Sequence, residues 1–337
     1  MRSPLIYFYS GVKIPSYAYT TLKWAAAEWN GAVVLLTDAP PARKILGVRV
    51  EYFEGWFDSS AFEDYLAHCN FDVDFRSGFW AKTLLRLFVI EQYMREQNLN
   101  QLSHAELDVL LIGTSEVPAH LDGIGKGLFI PWVPGKYAIG SYLYVNSRDA
   151  FRALIDFTVS HPNFRNEMEI LEQFLRTSPT QAFGLPTVDL LMEPEQTICQ
   201  ATNLITEGQV GGLFDAARGG QWVLGIDPKN SSSALQFNHY SQRKFEQFGR
   251  MNVKFYSFLT RRAVYIKVEE KKSKLFNLHV HSKSMNRASR SSLRWLDFRF
   301  ANLPTKSFLR FNVRKIRSFR KLKVPVDRLY RFVKARI

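Results

Sequence analysis

The chain has 337 residues, 46% of them hydrophobic and 14% aromatic, which is enough apolar material for a substantial core and excludes wholesale disorder. Its two cysteines, Cys69 and Cys199, exclude a disulfide framework and a cysteine-based zinc site, and they point to a reducing compartment. The formal charge of +14 is unevenly divided: residues 241–337 carry 27 Lys and Arg against 5 Asp and Glu, leaving 18 against 26 in residues 1–240. An acidic body with a basic tail suits an anionic partner.

The opening MRSPLIYFYSGVKIP has too short an apolar run for a signal peptide, and no window reaches the roughly 18–20 apolar residues of a membrane span. The expectation is a cytoplasmic protein, soluble or peripheral to a membrane. LIYFYS (5–10) reads as a strand, and Gly11 and Pro15 open a helix through SYAYTTLKWAAAEWN. AVVLLTD (32–38) is an apolar strand of parallel-sheet type, and GVRVEYF (47–53) predicts a third. A short helix at 60–68 and a long one at 78–97 follow. The long helix delivers the chain into SHAELDVLL, residues 103–111. Strands alternating with helices predict an α/β fold with a mainly parallel sheet flanked by helices. Ligands in such sheets bind beyond the carboxyl ends of the strands, where Asp38 and Asp108 fall.

YAIGSYLYVNS (137–147) reads as a strand pair or edge. A Ser-capped helix at 147–159 and an amphipathic helix at 165–175 come next, then a Gly-punctuated stretch at 208–228. From about 303 the chain is basic and amphipathic. Phe308, Leu309, Phe311, Val313, Ile316, Phe319 and Leu322 fill one arc of a helical wheel, and Arg310, Arg314, Arg317 and Lys321 most of the other, until Pro325 breaks it. The predicted organisation is a domain over 1–300 and a basic amphipathic tail over 301–337.

Three stretches carry chemistry. In SHAELDVLL a strand would put His104, Glu106 and Asp108 on one face and Ala105, Leu107 and Val109 on the other. Paired carboxylates suit a hard divalent cation, and an exposed edge strand is the plainer alternative. In NLHVHSK, His279, His281 and Lys283 alternate in the same way. Imidazole can complete a metal site and Lys can meet a phosphate, though two satisfied surface histidines are the commoner case. In LFDAARGGQWVLGIDP, Asp215 and Asp227 flank glycines that let a ligand approach the backbone, or serve simply as turn residues. Lys82 and Arg86 lie one turn apart on the long helix, within reach of an anion near its face.

Taken together, IPSYAYTTLKWAAAEWNGAVVLLTD, the passage into HAELDVLL, GGLFDAARGGQWVLGIDP and NLHVHSK resemble bacterial nucleotide-sugar glycosyltransferases of the GT-A fold. The likeness runs through most of residues 4–285. It implies that Glu106 and Asp108 stand at the family's Asp-x-Asp metal motif, with Glu in place of the first Asp. It further implies that His281 completes the shell of a Mn²⁺ or Mg²⁺ ion and that Lys283 sits by the donor phosphates. Arg86, with Lys82 and Gln221, would contact the donor, and Asp38 would face the nucleoside. Asp215, Asp227 and Glu167 are the carboxylates that could deprotonate an acceptor hydroxyl or orient the acceptor, Asp215 being preferred.

The implied activity is hexosyl transfer, from a UDP-sugar most readily, to a glycan or lipid-linked acceptor in cell-surface polysaccharide synthesis. Residues 303–337 would then bind an anionic membrane surface, each basic residue adding about 1 kcal/mol. A sugar nucleotidyltransferase would need a Gly-rich loop after the first strand, where FYSGVKIP has one glycine. A non-catalytic nucleotide- or carbohydrate-binding relative is a second alternative. Nucleic-acid binding through the tail ranks behind both, because it leaves the carboxylate and histidine motifs without a role.

Overall fold

A computed structural model describes residues 3–29, 31–72, 75–192, 203–217, 254–258, 261–268 and 271–280. The expected tail, the boundary at 300, Gln221, Asp227, His281 and Lys283 lie outside them. The strands are β1 (Leu5–Tyr9), β2 (Val33–Thr37), β3 (Val48–Tyr52), β4 (Leu102–Ala105), β5 (Val109–Leu111), β6 (Leu128–Val133), β7 (Tyr137–Ala138), β8 (Tyr142–Val145) and β9 (Ala182–Leu185). Four more follow late in the chain: β10 (Lys254–Phe258), β11 (Arg261–Val268), β12 (Lys271–Leu275) and β13 (Asn277–His279). The helices are α1 (Ser16–Glu28), α2 (Ser60–His68), α3 (Phe79–Glu96), α4 (Val117–Asp122), α5 (Arg148–Ser160), α6 (Glu167–Thr177) and α7 (Glu207–Val210).

The central sheet runs β3–β2–β1–β4–β8–β6–β7, with β9 beside β6. β3, β2, β1 and β4 are mutually parallel, as is β9 to β6, whereas β8 runs antiparallel to both its neighbours. The expected α/β fold with a mostly parallel sheet flanked by helices is therefore observed. β1 and β2 are continuous apolar runs because both sheet faces are covered. Ile6, Phe8, Val34 and Leu36 pack with α2, α3, α5 and α6 on one face. Leu5, Tyr7, Val33 and Leu35 pack with α1, α4 and β5 on the other. The predicted Ser cap is present, Ser147 Oγ accepting from the Ala150 N–H at the start of α5. Asn166 caps α6 in the same way.

Two differences from the sequence-based expectation matter. First, 103–111 is not one strand. The chain leaves the main sheet after Ala105, turns through residues 106–108 with Val109 N–H bonded to Glu106 O, and re-enters as β5, which pairs antiparallel with β13. The apolar half of the expected alternation survives, since Ala105, Leu107 and Val109 all enter the core beneath α1. The polar half does not, because the turn separates His104 from the two carboxylates. His104 is fully buried, with Nδ1 2.9 Å from Ile6 O. Burial first, and the Arg86 charge second, hold its imidazole neutral, well below the usual histidine range.

Second, β6 and β9 had no clear signal. Pro131 lacks an N–H and normally argues against a central strand. Here it pairs with Leu185 through β9, and its carbonyl accepts from Ile139 N–H.

Candidate metal centre

The turn that interrupts the sheet is braced from three sides. Glu106 N–H donates to Ser141 O just before β8, at 3.1 Å. On α1, Thr21 Oγ1 donates to Leu107 O (2.6 Å) and Trp24 Nε1 to Leu111 O (2.7 Å). On the far side, His279 lies opposite Val109 in the β5–β13 ladder, and Val280 N–H donates to Asp108 O at 2.7 Å. A segment 171 positions further along the chain, from 108 to 279, is thereby brought against the carboxylates.

Glu106, Asp108 and His279 converge so that one potential ligand atom from each lies within 4.8 Å of the others. His279 Nε2 is 3.4 Å from both Glu106 Oε2 and Asp108 Oδ2. The other ring nitrogen, Nδ1, is 3.1 Å from Ala216 O. A carbonyl oxygen only accepts, so Nδ1 carries the hydrogen, and in the neutral ring Nε2 presents its lone pair to two carboxylates. With the ring neutral, three acceptors would face one point. Two hard oxygens and an imidazole fit Mn²⁺ or Mg²⁺, with coordination positions left over for oxygens of another molecule. Glu106 is the more open carboxylate, its side chain 22% exposed against 11% for Asp108.

His279 is in turn fixed by a buried clamp. Its backbone N–H donates to Asp215 Oδ2 (2.9 Å). Asn277 Oδ1 accepts from Asp215 N–H (2.7 Å), and Asn277 Nδ2 donates to Asp215 O (3.2 Å). Asp215 and Asn277 are both fully buried. Behind Glu106, Arg86 reaches from α3 to place Nη1 2.5 Å from Glu106 Oε1 and Nη2 2.5 Å from Glu167 Oε1 on α6. Burial pulls this guanidinium down, but Glu167 and then Glu106 outweigh it, and the group stays charged. Burial pushes Glu167 up from the usual carboxylate range, with Arg86 opposing.

The sequence-predicted residues therefore separate into groups. Glu106, Asp108, Arg86, Glu167 and Asp215 come together. Lys82 is exposed on α3. Asp38, just past β2, accepts from Ser10 Oγ (2.7 Å) and Gly11 N–H (2.9 Å) at the carboxyl end of β1. Among the described residues the third member of the cluster is His279, two positions before His281, the residue the resemblance implies, which lies outside them. Alternation along NLHVHSK puts both imidazoles on one face, so spacing did not distinguish them. Asn277 gave no signal of its own beyond lying two residues before His279.

No protein-family model and no curated protein matches the chain. Solved structures similar to it include glycosyltransferases. Mouse xyloside xylosyltransferase 1, in its apo form, is 9% identical over 59% of this chain and 92% of its own, with a TM-score of 0.38. The galactosyltransferase LgtC, in complex with donor and acceptor sugar analogues, is 12% identical over 60% of this chain and 84% of its own, with a TM-score of 0.37. The PaToxG glycosyltransferase is 13% identical over 47% and 60%, with a TM-score of 0.32. Among the described residues no helix is long and apolar enough to cross a membrane.

Proposed function

We propose that the protein is a GT-A-type glycosyltransferase of the hexosyltransferase class. It moves a sugar from a nucleotide-sugar, UDP-linked by preference, to a glycan or lipid-linked acceptor in cell-surface polysaccharide synthesis. The observation that carries this reading is the convergence of Glu106, Asp108 and His279 Nε2 at the edge of the main sheet. Mn²⁺ or Mg²⁺ would be held by these three residues and would supply positive charge against the diphosphate leaving group.

The protein's own groups supply the rest. Arg86 is offset by Glu167, so Glu106 and Asp108 keep two negative charges for a divalent ion. Asp38 ties the loop after β1 to the end of β2, which supports a nucleoside site there. Lys82 is open to solvent and free to meet a phosphate. Lys283 and Gln221 are assigned to the donor side, and His281 to the cation's shell, by their place in the motifs.

Of the carboxylates considered for the acceptor, Glu167 is committed to Arg86, and Asp215 has one oxygen on His279 N–H. Asp227 is thus the better candidate for a base if configuration is inverted, and neither buried group is needed if it is retained. The basic segment 303–337 is assigned to an anionic surface at the inner face of the membrane.

The test is thermal stability of wild type and Asp108→Ala against UDP, GDP, CMP and their sugars, with and without Mn²⁺. A ligand at about 100 times its dissociation constant adds about 2.7 kcal/mol. The expected result is a shift that needs both Mn²⁺ and one nucleotide and disappears in the variant. No shift with any nucleotide overturns the reading.

A further inference from the structure

The two oxygens of Glu106 have different partners. Oε1 accepts from Arg86 Nη1 at 2.5 Å, while Oε2 faces His279 Nε2 at 3.4 Å. Arg86 is itself locked, being 4% exposed, with its second terminal nitrogen on Glu167, which is 3% exposed. It comes from the most buried part of α3, and Glu167 opens α6, so both ends of this bridge are anchored in packed helices.

The space around the bridge is equally constrained. A Cβ on Gly140 would lie 2.5 Å from Glu167 Oε1 and 2.6 Å from Arg86 Nη2. Glycine lets the turn between β7 and β8 close over the pair without displacing it. One N–H of each terminal nitrogen is thereby committed to a carboxylate.

We propose that Arg86 is a positioning residue: it takes one oxygen of Glu106 and thereby fixes the other as a one-oxygen ligand for the divalent cation, with Glu167 as its counter-charge. This inference rests on the cation reading above, and it accounts for glutamate at position 106. The side chain spans from Arg86 on one side to the His279–Asp108 edge on the other. Aspartate, shorter by one methylene of about 1.5 Å, reaches one or the other.

The test is Mn²⁺ affinity of the full chain by electron paramagnetic resonance, with melting temperature recorded for each variant. Removing an outer-shell partner typically costs 10–100-fold in metal affinity. Glu106→Asp keeps the carboxylate on a partly exposed residue, and binding is expected to weaken at least about 10-fold. Gly140→Ala changes no charge and no ligand; its clash falls on two side-chain ends, which shift, and it should weaken binding by about the same factor. Arg86→Lys, which keeps the charge but not the planar fork, should recover part of what Arg86→Met loses. Folded Glu106→Asp and Gly140→Ala proteins that bind Mn²⁺ as wild type does would overturn the proposal and leave the cation reading standing. A wild-type protein that binds no Mn²⁺ overturns both.

Discussion

Asn277 is the residue on which the late part of the site hangs. Its side-chain amide satisfies both backbone groups of Asp215, at 2.7 and 3.2 Å, in a region with no solvent access. Asp215 then holds the His279 N–H. Asn277→Ala removes both of these buried hydrogen bonds. At about 1 kcal/mol each net, rising toward the larger penalty for stripping a buried group of its side-chain partner, the expected loss is about 2–5 kcal/mol. In urea, at a slope of about 3 kcal/mol per molar, the midpoint should fall by about 1 M. Asn277→Asp should be worse at neutral pH, because it puts a carboxylate oxygen against Asp215 O and buries an unpaired charge. A midpoint shift of Asn277→Ala below about 0.3 M at unchanged slope would refute the reasoning and show that the clamp contributes little.

Three further outcomes are expected. Gly184→Ala would place a Cβ 2.2 Å from Trp132 Cε3 in the core, and overpacking of this kind costs about 1–3 kcal/mol or more; an unchanged melting temperature contradicts it. Glu172 accepts from Trp132 Nε1 and Gly135 N–H, yet burial raises its carboxyl above the ordinary value. The folded state therefore holds a proton that the unfolded state has released, and stability should fall as pH rises from the ordinary glutamate range through the raised value. Glu172→Gln should flatten that slope in pH-dependent melting, and an identical slope removes the assignment. Asp38→Ala should weaken nucleotide binding in calorimetry while leaving Mn²⁺ affinity unchanged, because Asp38 bonds to Ser10 and Gly11, apart from the three-residue cluster; a parallel loss of Mn²⁺ binding would contradict that separation.

Much of the scaffold was legible locally. LIYFY and VVLLT read as buried parallel strands because a strand covered on both faces has no polar positions, and Ser147 announced α5 because a helix start has N–H groups to satisfy. The Glu106–Asp108 pair was visible because two carboxylates inside an apolar run carry an electrostatic cost that demands a partner. His104 was misplaced by the same pattern. Alternation assumes an unbroken strand, and nothing local marks the turn at 106–108, which exists because Ser141 captures Glu106 N–H and α1 captures Leu107 O.

Sequence by itself determined the α/β class, the acidic body with its basic tail, and the segments from which a metal-binding group could be drawn, since each follows from short-range periodicity or charge. Tertiary structure decided that, among the described residues, His279 joins the two carboxylates, that Asp215 and Asn277 brace it, and that Arg86 is shared between Glu106 and Glu167. Those relations join residues 20 to 81 positions apart around Arg86 and 62 to 64 apart around Asp215. Spacing along a chain carries no information about which distant side chains a fold brings within 3 Å of one another.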